Sequence, residues 1–219
     1  ACAAELARSG LLVSAFLPGR FGHAWSSVAD ARLLDLEDAV APHNKDEARH
    51  NVSAWLHAGH ECWLRINGHG TDHWQADLEL AAASPGVQGV MLAMVDSPAA
   101  VTETAAALPG KKIVALVETA KGVQQLPAIA ESGDTFRLAF GLGDYRRDTG
   151  FADNPQALAY TRSQFTIASR AAGLPGPIDG PAVGALGVAL ADAAGVTTTF
   201  GMTGKICLTP DQCPTVNEG

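Results

Sequence analysis

Aromatic side chains are scarce in this chain of 219 residues: Phe, Trp and Tyr together make up 6%. That disfavours an aromatic-lined groove and favours helices packed closely through the abundant Ala and Gly. No apolar run is long enough to span a membrane. The opening segment, ACAAELARSGLLVSAFLPG, lacks the basic leader and polar start of a secretory signal. Basic clusters are also missing. Arg146–Arg147 and Lys111–Lys112 are only pairs, and a formal net charge of -8 repels nucleic acid and anionic membrane. Cysteine is limited to Cys2, Cys62, Cys207 and Cys213, with no C-x-x-C pair. Cys207 and Cys213 bracket LTPDQ without a second close pair, which argues against a zinc knuckle and fits the reduced thiols of a cytoplasmic enzyme. No Gly-x-Gly-x-x-Gly follows the first apolar run, which counts against Rossmann-type nucleotide binding. There is no Gly-x-Ser-x-Gly elbow, and Ser14 and Ser163 have no convincing base and acid beside them.

What is present alternates. LLVSAFL (11–17), ARLLDLE (31–37), ECWLRIN (61–67), VQGVMLAM (87–94), KKIVALVE (111–118), TFRLAFG (135–141) and GKICLT (204–209) read as strands. A weaker, irregular strand is expected around Ile178, in the Pro- and Gly-rich stretch 174–184. Helical segments separate them: a short one near 23–29, then 45 to about 58 with Ala48, Val52 and Leu56 on one face. Asp72–Ala83 stops at Ser84-Pro85-Gly86. Another helix opens at Ser97-Pro98, where proline in the first turn loses nothing, and ends at Pro109-Gly110. Further helices are expected over 122–129, 155–172 and 185–194. Repeated strand–helix units with continuous apolar strands predict a parallel sheet covered by helices. Eight units predict an α/β fold of the (β/α)8 TIM barrel type, one domain over 1–219, compact beside the usual length of about 250 residues. DQCPTVNEG reads only as a tail.

In such a barrel the strand C-termini share one face, and active sites sit there. Glu37 and Asp38, Arg65, Glu118, Asp144 and the Gly-rich turns around Gly19 and Gly141 then become neighbours. Glu118 and Asp144 are hard oxygen donors suited to Mg²⁺ or Mn²⁺; they could equally cap the helices that follow. Arg65 lies in a strand that should be buried, so its guanidinium needs a partner. It could grip a substrate carboxylate bidentately, or hold Asp35, Glu37 or Asp38 in a permanent pair, or do both. Glu37 alternates with Leu36 and is the better inward candidate, while Asp35 has a structural reading. All seven His lie between residues 23 and 73. His57 and His60 flank a helix end and His69 and His73 lie in or near a loop, so a nitrogen-ligated zinc site is not expected.

FLPGR (16–20), LLDLEDAVAPHNKDEAR (33–49), LRIN (64–67), ALVETAKGV (115–123), LAFGLGD (138–144), IDGP (178–181) and GKICLTPDQ (204–212) run in one order over nearly the whole chain. In these segments the chain resembles the beta subunit of citrate lyase and its relatives, among the metal-dependent HpcH/HpaI-type aldolases. The resemblance implies a (β/α)8 barrel, a homo-oligomer that is often a trimer, and Mg²⁺ held by Glu118 and Asp144. It implies that Arg65 binds a substrate carboxylate together with Gly143 in the FGLGD turn, and that Glu37 and Asp38 support the water and Arg network. The implied substrates are citryl, citramalyl or malyl thioesters of coenzyme A or an acyl carrier, split into an acetyl thioester and a small keto acid. The simpler aldolases carry His where this chain has Asp38, so DLED points to the thioester branch. Thioester hydrolysis, aldol cleavage of a free hydroxy-keto acid, and a weakly catalytic barrel that binds a metabolite or partner are the alternatives.

Three departures stand out. Leu92-Ala93-Met94 replaces the usual Leu-Pro-Lys. Leu208-Thr209-Pro210 replaces Ile-His-Pro. The closing helix and lid-like segment of relatives are not expected after the eighth strand.

Overall fold

A computed structural model describes residues 2–219. Its eight strands are all parallel and follow one another around a closed barrel: β1 (Ser9–Ser14), β2 (Ala31–Asp35), β3 (Cys62–Ile66), β4 (Val87–Leu92), β5 (Lys112–Val117), β6 (Thr135–Phe140), β7 (Ile178–Asp179) and β8 (Gly204–Cys207). β8 pairs back on β1, Gly10 opposite Ile206. The covering helices are α1 (Phe21–Trp25), α2 (Lys45–His57), α3 (Asp72–Ala83), α4 (Pro98–Ala107), α5 (Ala120–Gln124), α6 (Leu126–Ala130), α7 (Leu142–Thr149), α8 (Pro155–Ala171), α9 (Gly187–Thr199) and α10 (Cys213–Glu218).

Strand residues alternate between two apolar layers because successive side chains point to opposite faces. Leu11, Leu34, Leu64, Val90, Ile113 and Leu138 face outward to the helices. Leu33, Trp63, Met91, Val114, Leu116, Ala139 and Ile206 fill the barrel. Trp63 is the large residue of that filling, and Gly89 makes room for it: a Cβ at 89 would lie 2.8 Å from the ring's Cη2. One step further along each strand the inward layer turns polar, with Ser14, Asp35, Arg65 and, just beyond β5, Glu118. The apolar plug thus ends where the site begins.

The structure departs from the sequence expectations mainly at helices. The stretch 122–129 is two short helices, α5 and α6, with Gln125 between them and Pro127 in the first turn of the second. The sequence pattern predicts no helix between 141 and 155, yet residues 142–149 form α7. Its helical signal is only Leu142 and Tyr145, buried three apart, with Gly150 closing it at φ 77. The last residues are not a bare tail either. Cys213 and Val216, again three apart, bury one face of α10 against β1 and α9. β7 is only two residues long, as the irregular stretch around Ile178 foretold. No helix among the described residues is long and apolar enough to cross a membrane.

Candidate active site

Asp35 organises the polar layer. It is fully buried, and the turn after β2 wraps around it: its carboxylate accepts the backbone N–H of Glu37 at 2.9 Å and of Ala39 at 3.0 Å. It also accepts Nε and Nη2 of Arg65 at 2.7 and 2.6 Å, across the register pair that joins β2 to β3. This fork-to-fork contact fixes the guanidinium plane. It also raises the Arg65 pKa against burial, so the group is permanently charged. One edge of Arg65 is therefore taken, and Nη1 with the second Nη2 proton remains for a ligand. Nη1 stands 3.5 Å from Glu37 Oε2, close enough for attraction but outside hydrogen-bond geometry; that oxygen is buried with no hydrogen-bond partner.

Glu118 leaves β5 pointing into the same space and is only 2% exposed. Its Oε1 accepts the backbone N–H of Met94 at 2.8 Å. Met94 has φ 54, a left-handed conformation unusual for its type, and it turns the chain after β4 toward the carboxylate. Gly141, at the end of β6, lies against the other side of Glu118. A Cβ there would sit 2.9 Å from Glu118 Cδ and closer still to Oε2. Burial raises Glu118 to about 8; Glu37 and Asp144 add to the shift, and the Met94 N–H and Arg65 oppose it. Burial likewise raises Glu37 to about 7, against the pull of Arg65 and with a push from Asp38.

Asp144 lies in the first turn of α7 and is partly exposed. Arg147, one turn on, pairs with it and reaches to 3.8 Å from Asp38. Glu118 follows β5 and Asp144 follows β6 at the same end of the barrel, and the Asp144 charge adds to the upward shift of Glu118. Neither caps a helix: Thr119 caps α5 through the Gly122 N–H at 3.0 Å, and Gly141 precedes α7. Asp38 is exposed and contacts Arg147, not Arg65. Gly143 is exposed beside Asp144, with open space where a Cβ would be. Neither the Met94 N–H, nor Arg147, nor the choice of Asp35 among three possible acids had a signal in the residue pattern.

Outside this floor lies a cleft of about 700 Å³, bounded by Arg65, Asp35 and Asp38 on one side and by Ser14, Arg20 and His23 on the other. Its lining sets two cations, Arg20 and Arg65, against three acids, Asp35, Asp38 and Asp211, and it opens to solvent, with Arg20 the cation that, among the described residues, no acid of the site pairs. Among the described residues no three His, Cys, Asp or Glu side chains form a ready ligand set. Glu118 and Asp144 would leave most positions of an octahedron to water and ligand, as Mg²⁺ sites commonly do. The buried Glu118 and the partly exposed Asp144, itself paired with Arg147, offer the hard carboxylate oxygens that such a cation takes.

The HpcH/HpaI aldolase/citrate lyase family model matches residues 8–179. The chain belongs to this family. A citrate lyase subunit beta-like protein of Mycobacterium tuberculosis is 31% identical over 209 residues, covering 92% of this chain and 74% of its own. A (3S)-malyl-CoA thioesterase of Cereibacter sphaeroides is 32% identical over 152 residues, 67% of this chain and 53% of its own. Protein CitE of M. tuberculosis, solved in complex with magnesium, acetoacetate and coenzyme A, superposes with a TM-score of 0.84 at 29% identity, over 98% of this chain and 81% of that one. The (β/α)8 barrel is therefore the family fold, and magnesium is the metal held in those CitE structures.

Proposed function

We propose that this chain is a Mg²⁺-dependent carbon–carbon lyase that splits a β-hydroxy acyl thioester of the citryl, citramalyl or malyl type into an acetyl thioester and a small keto acid. What supports it is the barrel order: Glu118 and Asp144 follow β5 and β6 at the strand end where Arg65 stands, its plane fixed by Asp35. Mg²⁺ held by Glu118 and Asp144 would supply the positive charge that eases loss of a proton from the substrate hydroxyl.

The protein's own groups do the rest. Arg65 offers Nη1 and its remaining Nη2 proton to a substrate carboxylate without giving up Asp35, so binding needs no reorganisation. Glu37, raised to about 7, sits at the right proton affinity to exchange a proton with water or substrate near neutrality. Asp38 and Arg147 stand at the rim, with Gly143 leaving room beside Asp144 for the reacting end of the substrate. The cleft past Arg20 and His23 takes the thioester arm. A soluble homo-oligomer is proposed from the family resemblance.

Hydrolysis of the thioester is the second reading, favoured by the match to the malyl-CoA thioesterase. The two separate in one experiment. The chain is incubated with Mg²⁺ and citramalyl-, malyl- and citryl-coenzyme A. Keto acid with acetyl-coenzyme A is the expected product pair. Free coenzyme A with an intact hydroxy acid would establish hydrolysis, and no turnover of any of the three by a Mg²⁺-binding protein would contradict both.

A further inference from the structure

A second charged cluster lies outside the barrel, between β7, β8, α8 and α9, and the reaction at the mouth does not use it. Asp179 is fully buried at the end of β7. Its carboxylate accepts Lys205 Nζ at 3.2 Å, Thr197 Oγ1 at 2.6 Å, the Gly180 N–H at 2.9 Å, and Arg162 Nε at 3.2 and 3.3 Å. Lys205, 3% exposed, is fully engaged, with Gly180 O at 2.9 Å and Thr197 Oγ1 at 3.2 Å as further partners. Arg162 is not. Its hydrogen bonds to Asp179 run through Nε, and the guanidinium lines the neighbouring cavity with Nη1 and Nη2 free of hydrogen bonds to the described residues.

Two buried cations meet one carboxylate here, so the cluster holds a surplus positive charge. Arg162 and Lys205 line a cavity of about 230 Å³, whose remaining wall is largely apolar, with Leu142, Pro155, Pro181 and Val183. Asp153 also lines it, but is drawn off by Arg146 at 3.3 Å. Nη protons that open onto a cavity with surplus positive charge can make a charge-assisted pair, and an oxyanion matches their fork best.

We propose that this cavity is a binding site for a small oxyanion, gripped by the Nη pair of Arg162, its apolar wall favouring a short-chain carboxylate over phosphate. The site is distinct from the Arg65 mouth and does not depend on the lyase reading, because its occupancy is read without Mg²⁺ or thioester.

The test is calorimetric titration of the whole chain at constant ionic strength with EDTA, using isobutyrate and inorganic phosphate as probes. Isobutyrate is expected to bind more tightly than phosphate. Arg162→Gln should weaken it by about tenfold or more, the worth of a charge-assisted pair. Val183 is 81% exposed, so Val183→Asp should fold normally; a carboxylate on the cavity wall should weaken binding by about threefold or more. Phosphate binding as tightly as isobutyrate would overturn the carboxylate preference. No binding of either probe, or binding that both substitutions leave unchanged, would overturn the site.

Discussion

At the scale of single residues, Arg65 depends on Asp35. The pair is buried and doubly hydrogen-bonded, and the acid is itself held by two backbone N–H groups, so it positions the guanidinium before any ligand arrives. Asp35→Asn keeps the shape and removes the charge. We expect it to cost about 3 kcal/mol of stability in urea unfolding, because a buried guanidinium loses its counter-ion. We expect kcat/KM for the thioester to fall by about 10- to 100-fold with Mg²⁺ affinity little changed, the usual consequence of losing the group that orients a ligand. Unaltered kinetics in a folded Asp35→Asn protein would show that Arg65 needs no such support. The sequence made Arg65 a candidate because a guanidinium in a strand must find a partner. It could not choose the partner, because three acids within four residues all lie in reach and only the barrel register puts Asp35 opposite Arg65.

At the scale of elements, the site is made by where strands stop. The β5 exit supplies Glu118, the β4 exit supplies the Met94 N–H that holds it, and the β6 exit brings Gly141 against its other side. Gly141→Ala would drive a methyl into the Glu118 carboxyl. The predicted outcome is a loss of about 1–3 kcal/mol from overpacking and a fall in Mg²⁺ affinity of about tenfold or more from the displaced ligand. Mg²⁺ titration of the folded variant checks this, and wild-type affinity would mean that Glu118 has freedom the close contact denies. Strands and most helices were legible because their apolar periods are strong, as in KIVALV and in Ala48, Val52 and Leu56. α7 and α10 were not, since each buries only two apolar residues three apart and owes its helicity to packing. That matters for Asp144, which sits within the first turn of α7, where the N-terminal end of the dipole favours negative charge.

At the scale of the whole molecule, the barrel concentrates carboxylates at one end, and this sets a pH signature. Without metal, Glu118 is raised to about 8 in the fold, above its ordinary value of 4.5. The folded state therefore binds a proton that the unfolded chain releases. This contribution to stability is complete below about pH 4.5 and is lost as pH rises through 8. Glu37, raised to about 7, acts in the same direction. The melting temperature of metal-free protein should fall between pH 5 and 8.5. Excess Mg²⁺ should remove much of that fall, since the cation binds the ionised form and stabilises the fold by mass action. Parallel melting curves with and without Mg²⁺ that never diverge as pH rises would exclude these acids as its ligands.

The most direct measurement is titration calorimetry with Mg²⁺ on the wild-type chain and on Glu118→Gln and Asp144→Asn. Binding of a single ion is predicted for the wild type. Each substitution, in a protein that still melts cooperatively, should weaken it by about 100-fold, the effect of removing one of two charged ligands. Wild-type affinity in either variant would contradict a metal shared by Glu118 and Asp144.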